Sequence, residues 1–166
     1  MKVSNKEKIK LVMDINFYGT LYMTKSFLPH LLERPVGHIT NVSSMGGFLP
    51  VPGQSIYGAS KAAVKLLTEG LSAELKDTNI NVTVVFPGGV GTNIMQNSGV
   101  DRSRNKEASE EDMAKLLTPK EAAEIIVQGT ENDEYRVLAG KDSKLLDKMY
   151  RLSPKRASEL IAKKMN

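Results

Sequence analysis

Residues 37–61 read GHITNVSSMGGFLPVPGQSIYGASK, and the order of elements in this stretch decides the fold. Gly37 opens HITNVSS, whose Ile39, Thr40 and Val42 suit a short buried strand. The Gly/Pro-rich segment from Gly46 to Gly53 reads as a loop. From about Ser55, IYGASKAAVKLLTEGLSAEL reads as a helix rich in Ala and Leu. Its small residues Gly58, Ala59, Ala62 and Ala63 leave room for another element to approach closely.

The alternation continues on both sides. Upstream, Ile9, Val12, Met13, Phe17, Leu21, Phe27 and Leu28 recur at a helical period. Ser4-Asn5-Lys6-Glu7 fits a capping box with Ser4 as the cap, and the helix is expected to bend near Pro29 and stop before Pro35. Downstream, Asp77-Thr78-Asn79 is a turn, and the β-branched run INVTVVFP has the composition of a buried parallel strand. GGVGTNI then forms a loop. Residues 96–118 are polar and aperiodic, a loop with one helical turn expected near Glu110–Leu117. Thr118-Pro119-Lys120-Glu121 is a capped helix start with Pro at the first helical position, and that helix should end near Gly129. Tyr135–Ala139 is a third strand closed by Gly140, followed by amphipathic helices broken at Pro154.

Helix–strand alternation of this kind gives a parallel sheet with right-handed crossovers. The expected fold class is therefore α/β: a partial Rossmann-like three-layer fold with a short sheet of about three parallel strands and flanking helices. Residues 1–140 form the expected domain and residues 141–166 a basic helical tail. That tail holds eight Lys or Arg against Asp142, Asp147 and Glu159, a net of +5 against +4 for the whole chain. The excess charge is thus local, and a solvated helical face is its expected role; neither nucleic acid nor a membrane is an expected partner. With no cysteine and only His30 and His38, disulfides, thiolate chemistry and a zinc site are not expected. No apolar run is long enough for a membrane span and the first ten residues lack a signal-peptide core, so the expected compartment is the cytoplasm.

Tyr57 and Lys61 stand at i and i+4 and share a helix face. An ammonium near a phenol favours the phenolate, which makes a tyrosine usable as a general acid or base near neutral pH. Alone, Tyr-x-x-x-Lys is a weak signal. Ser44 adds to it, because it ends a strand thirteen residues before Tyr57, and sites in parallel sheets form at the carboxyl ends of strands. Pro87-Gly88-Gly89 ends the next strand at the same edge.

Four motifs in order, Asn16-Phe-Tyr-Gly19, NVSS, Tyr57-Gly-Ala-Ser-Lys61 and Pro87-Gly-Gly-Val90-Gly-Thr92, resemble the short-chain dehydrogenase/reductase family. The resemblance covers nearly the whole chain from the first helix to the third strand, and it implies that residues 1–140 are a truncated catalytic domain. It implies hydride transfer between NAD or NADP and a small-molecule alcohol/ketone pair, with Tyr57 as the general acid–base. Lys61 would lower the Tyr57 pKa and hydrogen-bond the nicotinamide ribose. Ser44, which has the family spacing to the tyrosine, would hold the substrate oxygen, and Asn16 would anchor a water in the proton relay. Pro87, Gly88, Val90 and Thr92 match the cofactor-contacting loop. The helices near 5–32 and 55–76 would build a homodimer or homotetramer.

The sequence also departs from the family. Its members open with a strand and a Thr-Gly-x-x-x-Gly-x-Gly turn that receives the pyrophosphate, and nothing before Asn16 matches it; the Asn-Asn-Ala-Gly-like segment of the fourth strand is missing too. Gly89-Val-Gly91-Thr-Asn-Ile94 is a decoy whose third glycine position holds Ile94. The chain thus reads as the catalytic and substrate half of an oxidoreductase. The alternative is a catalytically silent truncated remnant acting as a dimerisation or partner-binding module. On either reading these 166 residues by themselves should bind little or no NAD(P)H. Micromolar affinity in a cofactor-fluorescence titration overturns that expectation.

Overall fold

The computed structural model describes residues 5–91 and 116–165. The first helix starts one residue later than expected, and Ser4 lies outside the described residues. Asn5 is the cap: its side-chain oxygen accepts from the Lys8 N–H at 3.0 Å. Helix α1 runs Lys6–Met13 and α2 runs Gly19–Leu32, with Pro29 inside α2. A five-residue π-helical turn, Asp14–Tyr18, lies between them, so the irregularity falls at Asn16, well before Pro29. Short π segments of this kind occur often at functional sites.

Three parallel strands follow: β1 (Gly37–Val42), β2 (Ile80–Pro87) and β3 (Arg136–Ala139), in spatial order β1-β2-β3. Gly37 pairs with Ile80 and Val42 with Val85, while Val84 pairs with Arg136. Helix α3 (Ser55–Glu74) links β1 to β2, and α4 (Pro119–Glu131) precedes β3. Thr118 caps α4 with the full reciprocal box, although the helix continues two residues past Gly129. Helices α5 (Lys141–Leu152) and α6 (Pro154–Met165) complete the described chain.

Side-chain alternation along β2 divides the core between the two sheet faces. Ile80 and Val82 join Ile39 of β1 with Leu71 and Leu75 of α3. Further along the same face, Val84 and Phe86 meet Phe48, Leu49 and Ala157 of α6. Phe48 and Leu49 were expected in a plain loop, yet they fold back over the sheet and are buried. The opposite face carries α4, where Thr130 hydrogen-bonds Thr40 at 2.8 Å and Gly129 leaves space that the Val137 side chain fills. Among the described residues β1 pairs with β2 alone. Beside its free edge runs a groove of about 410 Å³ lined by His38, Thr40, Val42, Ile126 and Val127.

The tail belongs to the packed body. Its lysines and arginines from Lys141 to Lys163 are exposed, while Leu146, Met149, Tyr150 and Ile161 pack against the second core cluster. Arg136 ties it down: the guanidinium bonds Asp147 of α5 at 2.6 Å, approaches Glu69 of α3 at 3.4 Å, and lies 4.1 Å from the Phe86 ring centroid. Its side chain is only 15% exposed, so these charges are largely removed from water. Arg136→Ala leaves Asp147 and Glu69 without that partner and is expected to lower the unfolding free energy by about 3 kcal/mol. Urea denaturation checks this; an unchanged midpoint would show that the cluster contributes nothing net.

Candidate active site

Beyond Val42 the two serines take different paths. Ser43 is 2% exposed, and its hydroxyl donates to the Lys61 carbonyl at 2.7 Å. Ser44, in extended backbone, caps a 3-10 turn (Met45–Gly47) by accepting from the Gly46 N–H at 3.1 Å. Gly47 then lies flat against α3: a Cβ there would stand 2.6 Å from Ser43 Oγ and 2.9 Å from the Lys61 carbonyl. Only glycine permits that approach.

This contact brings Ser44 to the first turn of α3, where Tyr57 stands. Both line one cavity of about 240 Å³ together with Met45, Leu49, Val51 and Ile161. A serine and a tyrosine lining one mainly apolar cavity give it two hydroxyl-bearing side chains among apolar walls. Lys61 lies one helical turn further on and donates from Nζ to the Val42 carbonyl at 3.0 Å. Burial pushes its ammonium below the ordinary lysine range, because the charged form loses water there.

Asn16 enters through a relay of bonds. Its amide donates to Ser60 Oγ at 3.0 Å, and Ser60 in turn donates to the Tyr57 carbonyl at 2.7 Å. Ser60 is fully buried, so the π turn is tied to the backbone that carries Tyr57. The Thr20 hydroxyl takes the Asn16 carbonyl at 2.9 Å.

At the adjoining strand end, Gly88 N–H donates to Ala139 at 2.8 Å, and Val90 forms a parallel bridge with Leu117. Leu117 therefore sits in a bridge, while residues 110–115 of the helical turn expected near Glu110–Leu117 lie outside the described residues. Pro87 ends β2, and Gly88 and Val90 lie on the loop beyond it; Thr92 lies outside the described residues, as does Ile94. Ser44, Tyr57 and Lys61 are gathered at the end of β1, Asn16 is joined to them through Ser60, and the Pro87–Val90 loop follows the neighbouring strand. Among the described residues no group of three or more His, Asp or Glu could hold a metal ion, and no helix is long and apolar enough to cross a membrane.

Two contributors were not visible in the sequence. Ile161 reaches the cavity from a helix whose charge count drew attention to its outer face alone. Asp142, in the first turn of α5, accepts from the Gly89 N–H at 2.7 Å. The one local signal for it is an acidic residue in the first turn of a helix that follows a strand and a glycine.

Comparison with known proteins identifies the family and the fold. The model for the family described as short chain dehydrogenase matches residues 1–103. A Mycobacterium tuberculosis protein named as oxidoreductase SadH is 35% identical over 164 residues, covering 96% of this chain and 59% of that protein. The chain therefore spans little more than half the length of this curated relative. A short-chain dehydrogenase from Burkholderia cenocepacia in complex with NADP has the same fold, with a TM-score of 0.80 at 24% identity over 97% of this chain and 62% of that one. A short-chain dehydrogenase from Sphingobium yanoikuyae in complex with NADPH gives 0.68 at 27% identity, covering 81% and 50% respectively.

Proposed function

The chain belongs to the short-chain dehydrogenase family, and from that premise we propose that it carries the catalytic wall of an NAD(P)-dependent oxidoreductase acting on a carbonyl/alcohol pair. One observation carries the reading: Ser44 and Tyr57 open into the same cavity, while the neighbouring Ser43 is consumed by a bond to the helix backbone. In the reductive direction Tyr57 gives its phenolic proton to the substrate oxygen, and Ser44 holds that oxygen by a hydrogen bond. Lys61, whose proton is held less tightly than usual, adjusts the charge at Tyr57. Asn16, through Ser60, steadies the turn that presents Tyr57.

The loop at the end of β2 suits a dinucleotide. Pro87, Gly88 and Val90 lie at a strand carboxyl end, where ligands of open parallel sheets bind. When bound there, the cofactor supplies or takes up the hydride. The cavity walls, from Met45, Leu49, Val51 and Ile161, favour an apolar substituent on the ketone or alcohol. In the native polypeptide, Tyr57→Phe should cut turnover by about 10²–10⁴-fold with cofactor affinity changed by less than about threefold. Turnover close to wild type would remove Tyr57 from the acid–base role.

The assembly we propose is a homodimer or homotetramer built through α1, α2 and α3. Leu11, Ile15, Tyr18 and Tyr22 form an exposed row along the first two helices, and Leu66 is 69% exposed on α3. Apolar rows of this size on a helix surface mark interfaces more often than free surface. Ile15→Asp with Leu66→Glu should shift the sedimentation mass towards the monomer. A mass unaffected by both changes would place the contact elsewhere.

A further inference from the structure

Three glycines surround a single carboxylate. Asp142 Oδ2 accepts from the Gly89 N–H at 2.7 Å, and a Cβ built on Gly88 or on Gly140 would overlap the same carboxylate group. Gly140 also holds φ at +116°, a conformation that favours glycine. The Gly88–Gly140 approach is closed by the Gly88 N–H bond to Ala139. The neighbouring Ser143 is fully buried and donates to the Phe86 carbonyl at 2.7 Å, which fixes α5 against the end of β2. On the other side of the loop, Leu117 donates to the Gly89 carbonyl at 3.0 Å and accepts from Gly91 at 2.9 Å.

We infer that Asp142 is a positioning residue for the Pro87–Gly91 loop, holding that loop in the shape in which it meets the cofactor. The inference rests on the oxidoreductase reading for what the loop does, but not for how it is held. Without Asp142, Gly88 and Gly89 have no side chains of their own to limit the backbone, and the Gly89 N–H loses its acceptor. The carboxylate fills the space that those glycines leave and turns a flexible dipeptide into a defined one. Ser143 secures the strand end and Asp142 secures the loop beyond it, so two consecutive residues of α5 divide the task. None of this requires Asp142 to touch substrate or cofactor.

The test compares Asp142→Ala, Asp142→Asn and Gly88→Ala with Ser143→Ala in the native polypeptide. Amide hydrogen exchange at Gly89 should speed up by at least about tenfold in Asp142→Ala, with exchange along Ile80–Val84 unchanged. Asp142→Asn keeps an acceptor oxygen and should restore most of the protection. Gly88→Ala puts a methyl where the carboxylate lies and should reproduce the Asp142→Ala result. In steady-state assays with NADPH and a ketone, Asp142→Ala should raise KM for NADPH by about tenfold and lower kcat by less than about threefold. Ser143→Ala should lower the melting temperature without this KM shift. Unchanged Gly89 exchange in a folded Asp142→Ala variant overturns the inference, as does altered exchange with an unaltered KM. If the wild-type protein takes up no NADPH, as is expected of these 166 residues by themselves, the KM comparison falls away and exchange at Gly89 alone supports or sinks the tether.

Discussion

The Ser43 hydroxyl donates to the Lys61 carbonyl across 2.7 Å, and Gly47 lies against that carbonyl with no side chain between. A bond of this kind contributes only about 1 kcal/mol net. Burial of Phe48 and Leu49 on the adjoining segment contributes more, roughly 2 kcal/mol each. The hydrogen bond matters for register rather than for stability. It fixes which turn of α3 faces the end of β1, and hence that Tyr57 rather than another residue of the helix shares a cavity with Ser44. A slip of one residue in α3 would rotate Tyr57 by about 100° around the helix axis, and the site would not form.

The carboxyl end of β2 is held in a comparable way from the far end of the chain. Ser143 takes the Phe86 carbonyl, Asp142 takes the Gly89 amide, and Arg136 bridges α5 to α3 over the Phe86 ring. The last two helices are thus part of the frame that carries the site, and Ile161 is part of its wall. Their positive charge is a property of the outer face only. Charge counts along a sequence weigh the residues that project into water and pass over the Ala, Met and Ile that decide where a helix packs.

Much of the frame was legible because its signals are local. The β-branched run at Ile80–Pro87 and the Thr118-Pro119-Lys120-Glu121 start each carry their own structural instruction, and both occur as read. The cap at Asn5 was missed by one residue, since Ser and Asn cap about equally well and position alone separates them. The π turn at Asp14–Tyr18 was invisible for a different reason. One inserted residue leaves the apolar spacing nearly helical, and the bond that ties the turn to Ser60 joins residues far apart in the chain. Phe48 and Leu49 looked like loop residues because Gly and Pro flank them, yet apolar residues between breakers are free to fold back on a core. The four motifs were readable as descent; the hydrogen bonds of Ser43, Ser60 and Asp142 that hold them were not, because each joins elements far apart in the chain.

The free edge of β1 bears directly on Lys61. Ser43 N–H bonds Val85 at 2.9 Å, so the alternation of a parallel strand turns the Val42 carbonyl away from β2, and the Lys61 ammonium takes it from that side. The groove between β1 and α4 is lined by His38, Thr40 and Val42 on the strand side, with Val42 42% exposed. Burial already lowers the Lys61 pKa, and burial is a matter of how much water the surroundings leave. Whatever covers this edge removes more of that water, and a strand pairing with β1 would also seek the carbonyl that Lys61 holds. The proton affinity of Lys61 therefore depends on how much water reaches the outer side of β1, where its ammonium meets the Val42 carbonyl.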